Sequence, residues 1–156
     1  MDSPAERLIA ADVVRGVSRM LYRHDYLGVA EVPLGNGRRA DIMALGPKGE
    51  VIIVEVKVSR ADLLGDGKWP DYLDYCDRYF WAVPQGFDLG LFERESLAPM
   101  TTGLIVADRY DAAILREPDP RPLAAARRKA ETLRLARMAA RRMMVISSVL
   151  EIEIEG

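Results

Sequence analysis

The chain has 156 residues, 49% of them hydrophobic and 29% charged, with a formal net charge of -2. That length supports one domain with a real core, and no apolar run approaches the roughly 20 residues of a membrane-spanning helix. The single cysteine, Cys76, excludes an intrachain disulfide, and the N-terminus lacks the pattern of a secretion signal, so the sequence reads as a soluble, cytoplasmic protein.

The segment SPAERLIAADVVRGVSRMLYRH opens with a helix signature, Ser3 at the N-cap, Pro4 in the first turn and Glu6 at the return position of a capping box. It predicts a helix from Pro4 to about Tyr22. YLGVAEVPL, RRADIMAL and EVIIVEVKV follow as strands separated by the turn clusters GNG and GPKG, which makes an antiparallel three-strand meander. RADLLGDGKWPDYLDYCDR reads as an interrupted helix because Gly65, Gly67 and Pro70 fall in its first half. YFWAVP is a fourth strand, and TTGLIVAD and AAILRE are two more with a turn near Tyr110 and Asp111. A long helix is expected from about Leu123 to Ile146, and the final SVLEIEIEG fits either an edge strand or a disordered acidic tail. This order predicts an α/β fold, a mixed central sheet flanked by helices, in one domain.

The third strand carries the chemistry. Side chains alternate along a strand, so Ile52, Val54, Val56 and Val58 share one face while Val51, Ile53, Glu55 and Lys57 share the other, turning charged toward the strand's end as at the edge of a cleft. If the loop between strands two and three is Gly46 to Glu50, position 41 stands opposite position 55. An even loop would send Asp41 to the other face. Directly opposed residues have β-carbons about 4.5 to 5.5 Å apart, close enough for Asp41 and Glu55 to share a cation. Two carboxylates and a backbone carbonyl make a hard oxygen site suited to Mg²⁺ or Mn²⁺, and Lys57 aims a charge at the same point. That set suits phosphodiester hydrolysis by a metal-activated water. On the pattern of Glu55 and Lys57 alone, an exposed cross-strand ion pair is the commoner meaning.

Asp41, thirteen intervening residues and then EVK resemble the motif of PD-(D/E)xK nucleases, with Ala40 where the motif's name has proline. The longer run from NGRRADIMAL through GEVIIVEVKVSRADLLGDGKWPDYLDYCDRYFWAVP resembles MmcB-type DNA repair proteins, and the likeness covers about residues 4 to 117. It implies a restriction-endonuclease-like fold, with Asp41, Glu55 and the Val56 carbonyl as metal ligands and Lys57 as the catalytic lysine. Glu31 and Glu6 are candidates for a further acid. The expected function is a metal-dependent DNA nuclease in repair. The alternatives are a non-catalytic nucleic-acid-binding module docked on a repair partner, or an RNA-directed nuclease.

Around this centre, Arg38, Arg39 and Arg60 are candidate phosphate contacts, and Lys68 and Tyr72 either face the scissile phosphate or belong to a helix start in which Asp66 caps and Trp69 packs. His24 and Cys76 carry no expected role. In the long helix, a projection at 100° per residue puts Arg127, Arg128, Arg134, Arg137, Arg141 and Arg142 on one half and Leu133, Ala136, Ala140 and Met143 on the other. Those arginines, with Arg127, Arg134 and Arg141 at the centre of the arc, either bind DNA phosphates without reading bases or pair with acids such as those of the tail.

Overall fold

The computed structural model describes residues 8–155, without the side chains of residues 150 and 152–155. Ser3, Pro4 and Glu6 lie outside the described residues. Leu8 and Ile9 are not helical, and α1 spans Ala10–Arg23. Its start is held by Asp12, whose carboxylate accepts the Ile9 N–H at 3.0 Å, an acid three residues in reaching back to the cap. Val13, Gly16, Val17, Met20 and Leu21 recur at helical spacing and form its buried face.

Six strands follow: β1 Leu27–Pro33, β2 Arg39–Leu45, β3 Val51–Val56, β4 Arg78–Pro84, β5 Thr102–Ala107 and β6 Ala112–Arg116. They lie in one sheet in chain order, β1 to β6. The first three form the expected antiparallel meander, β4 runs parallel to β3, β5 parallel to β4, and β6 turns back antiparallel on β5. Between β3 and β4 the chain forms the short α2, Arg60–Leu64, and a 3-10 helix over Trp69–Tyr75, with the break at Gly65 and Gly67 and Pro70 in the first turn of the second helix. Edge strand β1 is blunted by Pro33 and by Glu31, which takes a left-handed φ of 53° in mid-strand.

The loop after β2 decides what faces what. Gly46 N–H donates to Glu50 O at 2.9 Å and Gly49 N–H to Gly46 O at 3.1 Å, with Gly49 at φ 89°, where a side chain is strained. The pairs Ile42↔Val54, Met43↔Ile53, Ala44↔Ile52 and Leu45↔Val51 follow, the odd register that sets position 41 across from position 55.

One face of the sheet, with Ile42, Ala44, Ile52, Val54, Val56, Phe80, Ala82, Ile105 and Ala107, packs on α1. Val58 does not join it; β3 ends at Val56 and Val58 is exposed. The other face carries an aromatic cluster in which Trp69 lies 5.6 Å from Tyr79 and 5.3 Å from Trp81 between ring centroids. Helix α1 also presses on the turn before β6. A β-carbon at Gly16 would run into the Asp108 carbonyl oxygen and stand 2.6 Å from that of Asp111. Both are backbone atoms that cannot swing aside, so Gly16→Ala is expected to lower stability by about 2–3 kcal/mol, read as a lower urea midpoint at unchanged slope.

Residues 1–123 and 124–156 form two compact units. The second is essentially α3, Ala125–Glu155, helical through the segment expected to be an edge strand or a disordered tail. SVLEIEIE has the length and lack of breakers to continue a helix already nucleated upstream, and this outweighs its alternation. The expected apolar face is also corrected. Leu133, Ala136, Ala140 and Met143 are exposed, whereas Glu131 and Leu135 are buried, with Arg128, Met138 and Arg142 half-buried on the same stripe. The less exposed positions 128, 131, 135, 138 and 142 recur at 3–4 spacing and mix charged with apolar residues, so they left little hydropathy contrast.

Candidate active site

Asp41 closes β2 against β3 through its side chain. Past Ile42↔Val54 the regular ladder stops; the Val56 N–H donates instead to Asp41 Oδ2 at 2.8 Å, and the Asp41 N–H donates to Glu55 Oε1 at 3.0 Å. The two carboxylates are thus anchored by each other's strand, and the side chains also meet each other directly. The Val56 carbonyl lies on the strand edge that bears its N–H, the Asp41 side.

Glu55 and Lys57 do not emerge into a cleft, as the charged end of the strand suggests. Glu55 is 4% exposed and Lys57 8%, and Asp41 is the half-buried member through which the site reaches solvent. The cause is the α2 and 3-10 segment, together with Trp81, which stands beside Glu55 in the β3–β4 register. Burial, then the Asp41 charge, push the Glu55 carboxyl up to about 9. Without a cation the pair therefore holds a proton at neutral pH. Burial works against the Lys57 charge, but the hydrogen bond and charge of Asp66, followed by the charges of Asp62 and Glu55, outweigh it and raise its pKa. Lys57 Nζ lies 2.9 Å from Asp66 Oδ2 and 3.7 Å from Asp62 Oδ1.

The donor set fits Mg²⁺ or Mn²⁺, since two opposed carboxylates, plus a carbonyl, suit a hard cation that keeps several waters. Glu31 does not complete it. The β1–β2 ladder passes from Ala30↔Ile42 to Val32↔Ala40 and skips the Glu31 and Asp41 positions, and among the described residues no three His, Cys, Asp or Glu side chains gather in a metal-holding group.

The other candidates separate. Arg39, Arg60 and Lys68 are exposed. Arg38 is tied down, its Nε 3.0 Å from Asp71 Oδ2, where Asn36 also donates to the Asp71 carbonyl and latches the β1–β2 turn to the 3-10 helix. Tyr72 faces inward: it is buried, and its hydroxyl donates to the Arg39 carbonyl at 3.0 Å. Burial, then the charges of Glu55 and Asp41, push that hydroxyl up to about 12. Trp69 packs in the core. Asp66 accepts the Lys68 N–H at 3.0 Å as a cap does, and also holds Lys57. Cys76 is a buried free thiol that burial pushes up to about 12, and His24 is exposed at the end of α1. On α3, Arg127 and Arg134 reach the buried Glu131, at 3.7 and 3.3 Å, while Arg137 and Arg141 are exposed.

Sequence reasoning missed Asp62 and Asp66 as partners of Lys57, and Tyr79 and Trp81 as the walls around Glu55. Among the described residues the buried Tyr79 hydroxyl and Trp81 Nε1 have no hydrogen-bond partner. Asp66 left one signal, an acid between two glycines that follows a motif lysine.

The family described as MmcB-like, DNA repair protein MmcB-like, matches residues 4–149. The chain belongs to the MmcB-like DNA repair family. Among solved structures, the SPO1766 protein of unknown function from Silicibacter pomeroyi is 44% identical, over 90% of this chain and 92% of that one, with a TM-score of 0.78. No curated protein matches the chain. The family is described as one of DNA repair proteins, and no helix among the described residues is long and apolar enough to cross a membrane.

Proposed function

We propose that this MmcB-like protein is a metal-dependent DNA nuclease of the PD-(D/E)xK superfamily, a single catalytic domain with a basic C-terminal helix. The observation that carries the reading is the opposition of Asp41 and Glu55 across β2 and β3, with Lys57 two residues on. Asp41, Glu55 and the Val56 carbonyl hold Mg²⁺ or Mn²⁺. The bound ion supplies charge that acidifies the attacking water and offsets the charge growing on phosphorus. Lys57 sets a cation beside the same point and steadies the anionic transition state. Arg39, Arg60 and Lys68 grip the phosphate backbone, and nothing in the set reads a base. Labelled duplex DNA, single-stranded DNA and RNA incubated with Mg²⁺, Mn²⁺ or chelator test this reading. DNA cleavage that depends on the ion supports it, and preferred cleavage of RNA moves the substrate.

One observation favours a second reading, a nucleic-acid-binding module without turnover that docks on a repair protein: the Lys57 ammonium is already engaged by two aspartates. Binding without cleavage under every ion would decide for it.

The arginines of α3 form a separate part of the proposal. The tail cannot be their partner within the helix, because Glu151 stands nine residues beyond Arg142, about 13 Å along the axis. Replacing Arg127, Arg134 and Arg141 with alanine is expected to weaken duplex affinity and to shallow the slope of log K against log salt by up to about 0.9 per lost contact. It also strips the buried Glu131 of two cations and lowers the melting temperature. Arg141→Ala alone should change the salt slope and leave melting untouched; an unchanged slope in both variants takes this helix off the DNA surface.

A further inference from the structure

The lysine of the site is held from outside the motif. Lys57 Nζ sits 2.9 Å from Asp66 Oδ2, and the remaining Asp66 oxygen accepts the Lys68 N–H at 3.0 Å, so the aspartate is itself fixed while it fixes the lysine. Asp62 stands behind it at 3.7 Å, on a helix turn anchored by Ser59, whose hydroxyl accepts the Asp62 N–H at 3.1 Å. The Asp66 side chain is 18% exposed and that of Lys57 10%, so this pair is largely out of water, whereas Asp62 at 45% contributes little. A lysine stem has four rotatable bonds, and a charge that must stand within an ångström or so of its working place gains from being held there in advance. Three ammonium donors leave Lys57 able to bind Asp66 and still reach a phosphate oxygen.

We propose that Asp66 is the positioning residue of the site: it holds the Lys57 ammonium beside Glu55 and acts on the reaction only through that lysine. The proposal rests on the nuclease reading above. Asp66→Asn keeps an oxygen for the Lys68 N–H and removes the charge, so it separates the ion pair from the cap. It is expected to lower kcat about 100-fold, with KM for DNA and Mn²⁺ affinity unchanged. In a Lys57→Ala background the same change should have no further effect, as befits a residue that works through Lys57. Asp66→Ala, which also loses the cap, should lower kcat equally and melt earlier.

A second readout is independent of turnover. In ¹⁵N spectra of the full chain a Lys57 ammonium signal, protected by the ion pair, should be present in wild type and lost in Asp66→Asn. Full or increased kcat in Asp66→Asn, or an additive loss in the double variant, overturns the proposal. If the wild-type protein cleaves nothing, the nuclease reading and the catalytic role fall together, and the Lys57 signal still shows whether the grip exists. If the signal is unchanged in Asp66→Asn, the grip itself is disproved.

Discussion

Asp41→Asn and Glu55→Gln are each expected to abolish divalent-ion binding and to reduce DNA cleavage by at least about a thousandfold while leaving the fold intact. Both substitutions preserve shape. The carboxamide oxygen introduced by the first still accepts the Val56 N–H, and that introduced by the second still accepts the Asp41 N–H, so the two bonds that join the strands survive and the charge that attracts a cation does not. Glu55→Gln should also change stability in a definite direction. The Glu55 carboxyl is raised in the folded protein, so the unfolded chain gives up its proton first, and stability is lost as pH rises from the ordinary carboxylate range toward about 9. Glutamine cannot ionise and removes that loss. The melting temperature of the metal-free variant should therefore exceed wild type at pH 8 and by less at pH 5. Calorimetry with Mn²⁺ and melting curves at the two pH values check both statements, and undiminished ion binding in both variants would move the metal elsewhere.

Lys57→Ala is expected to lower turnover by about two to four orders of magnitude, with metal affinity kept or raised, because a neighbouring cation opposes a divalent ion and favours an anionic transition state. The structure adds a second consequence. Asp66, only 18% exposed on its side chain, loses its partner, so the variant should also melt earlier than wild type. Kinetics at saturating DNA separate the two effects, since a purely structural lysine would leave the folded fraction cutting at the wild-type rate.

The meander was legible because it rests on local rules. Turn glycines bracket the strands, and the observed five-residue loop is the odd one of the two parities the sequence left open, which brings Asp41 opposite Glu55. The depth of the site was not legible. A strand that alternates into Glu and Lys looks as though it leaves the core, and nothing local says that α2 and the segment through Trp69 fold over it and bury both charges. The grip on Lys57 was hidden for the same reason, because Asp66 reads fully as a turn residue until tertiary structure brings it to the lysine. The burial of Tyr72 was likewise not legible: after GDGKWP it read as a residue facing the scissile phosphate, and the structure puts its ring in the aromatic cluster and its hydroxyl on the Arg39 carbonyl, within the field of Glu55 and Asp41. On α3 the projection took Leu133, Ala136, Ala140 and Met143 for the apolar face, and all four are exposed. The buried residues of this helix are instead Leu135 and Glu131, where charge and burial coincide and hydropathy has no voice.

Whether Asp41 and Glu55 form a metal site is decided by a crystal of the metal-free protein soaked in Mn²⁺, with the ion located by its anomalous scattering. One peak is expected, bound by the Asp41 and Glu55 carboxylates and the Val56 carbonyl, with waters completing its shell and Lys57 still on Asp66. Mn²⁺ bound at another cluster, or no peak between Asp41 and Glu55 at millimolar ion, would contradict the nuclease reading.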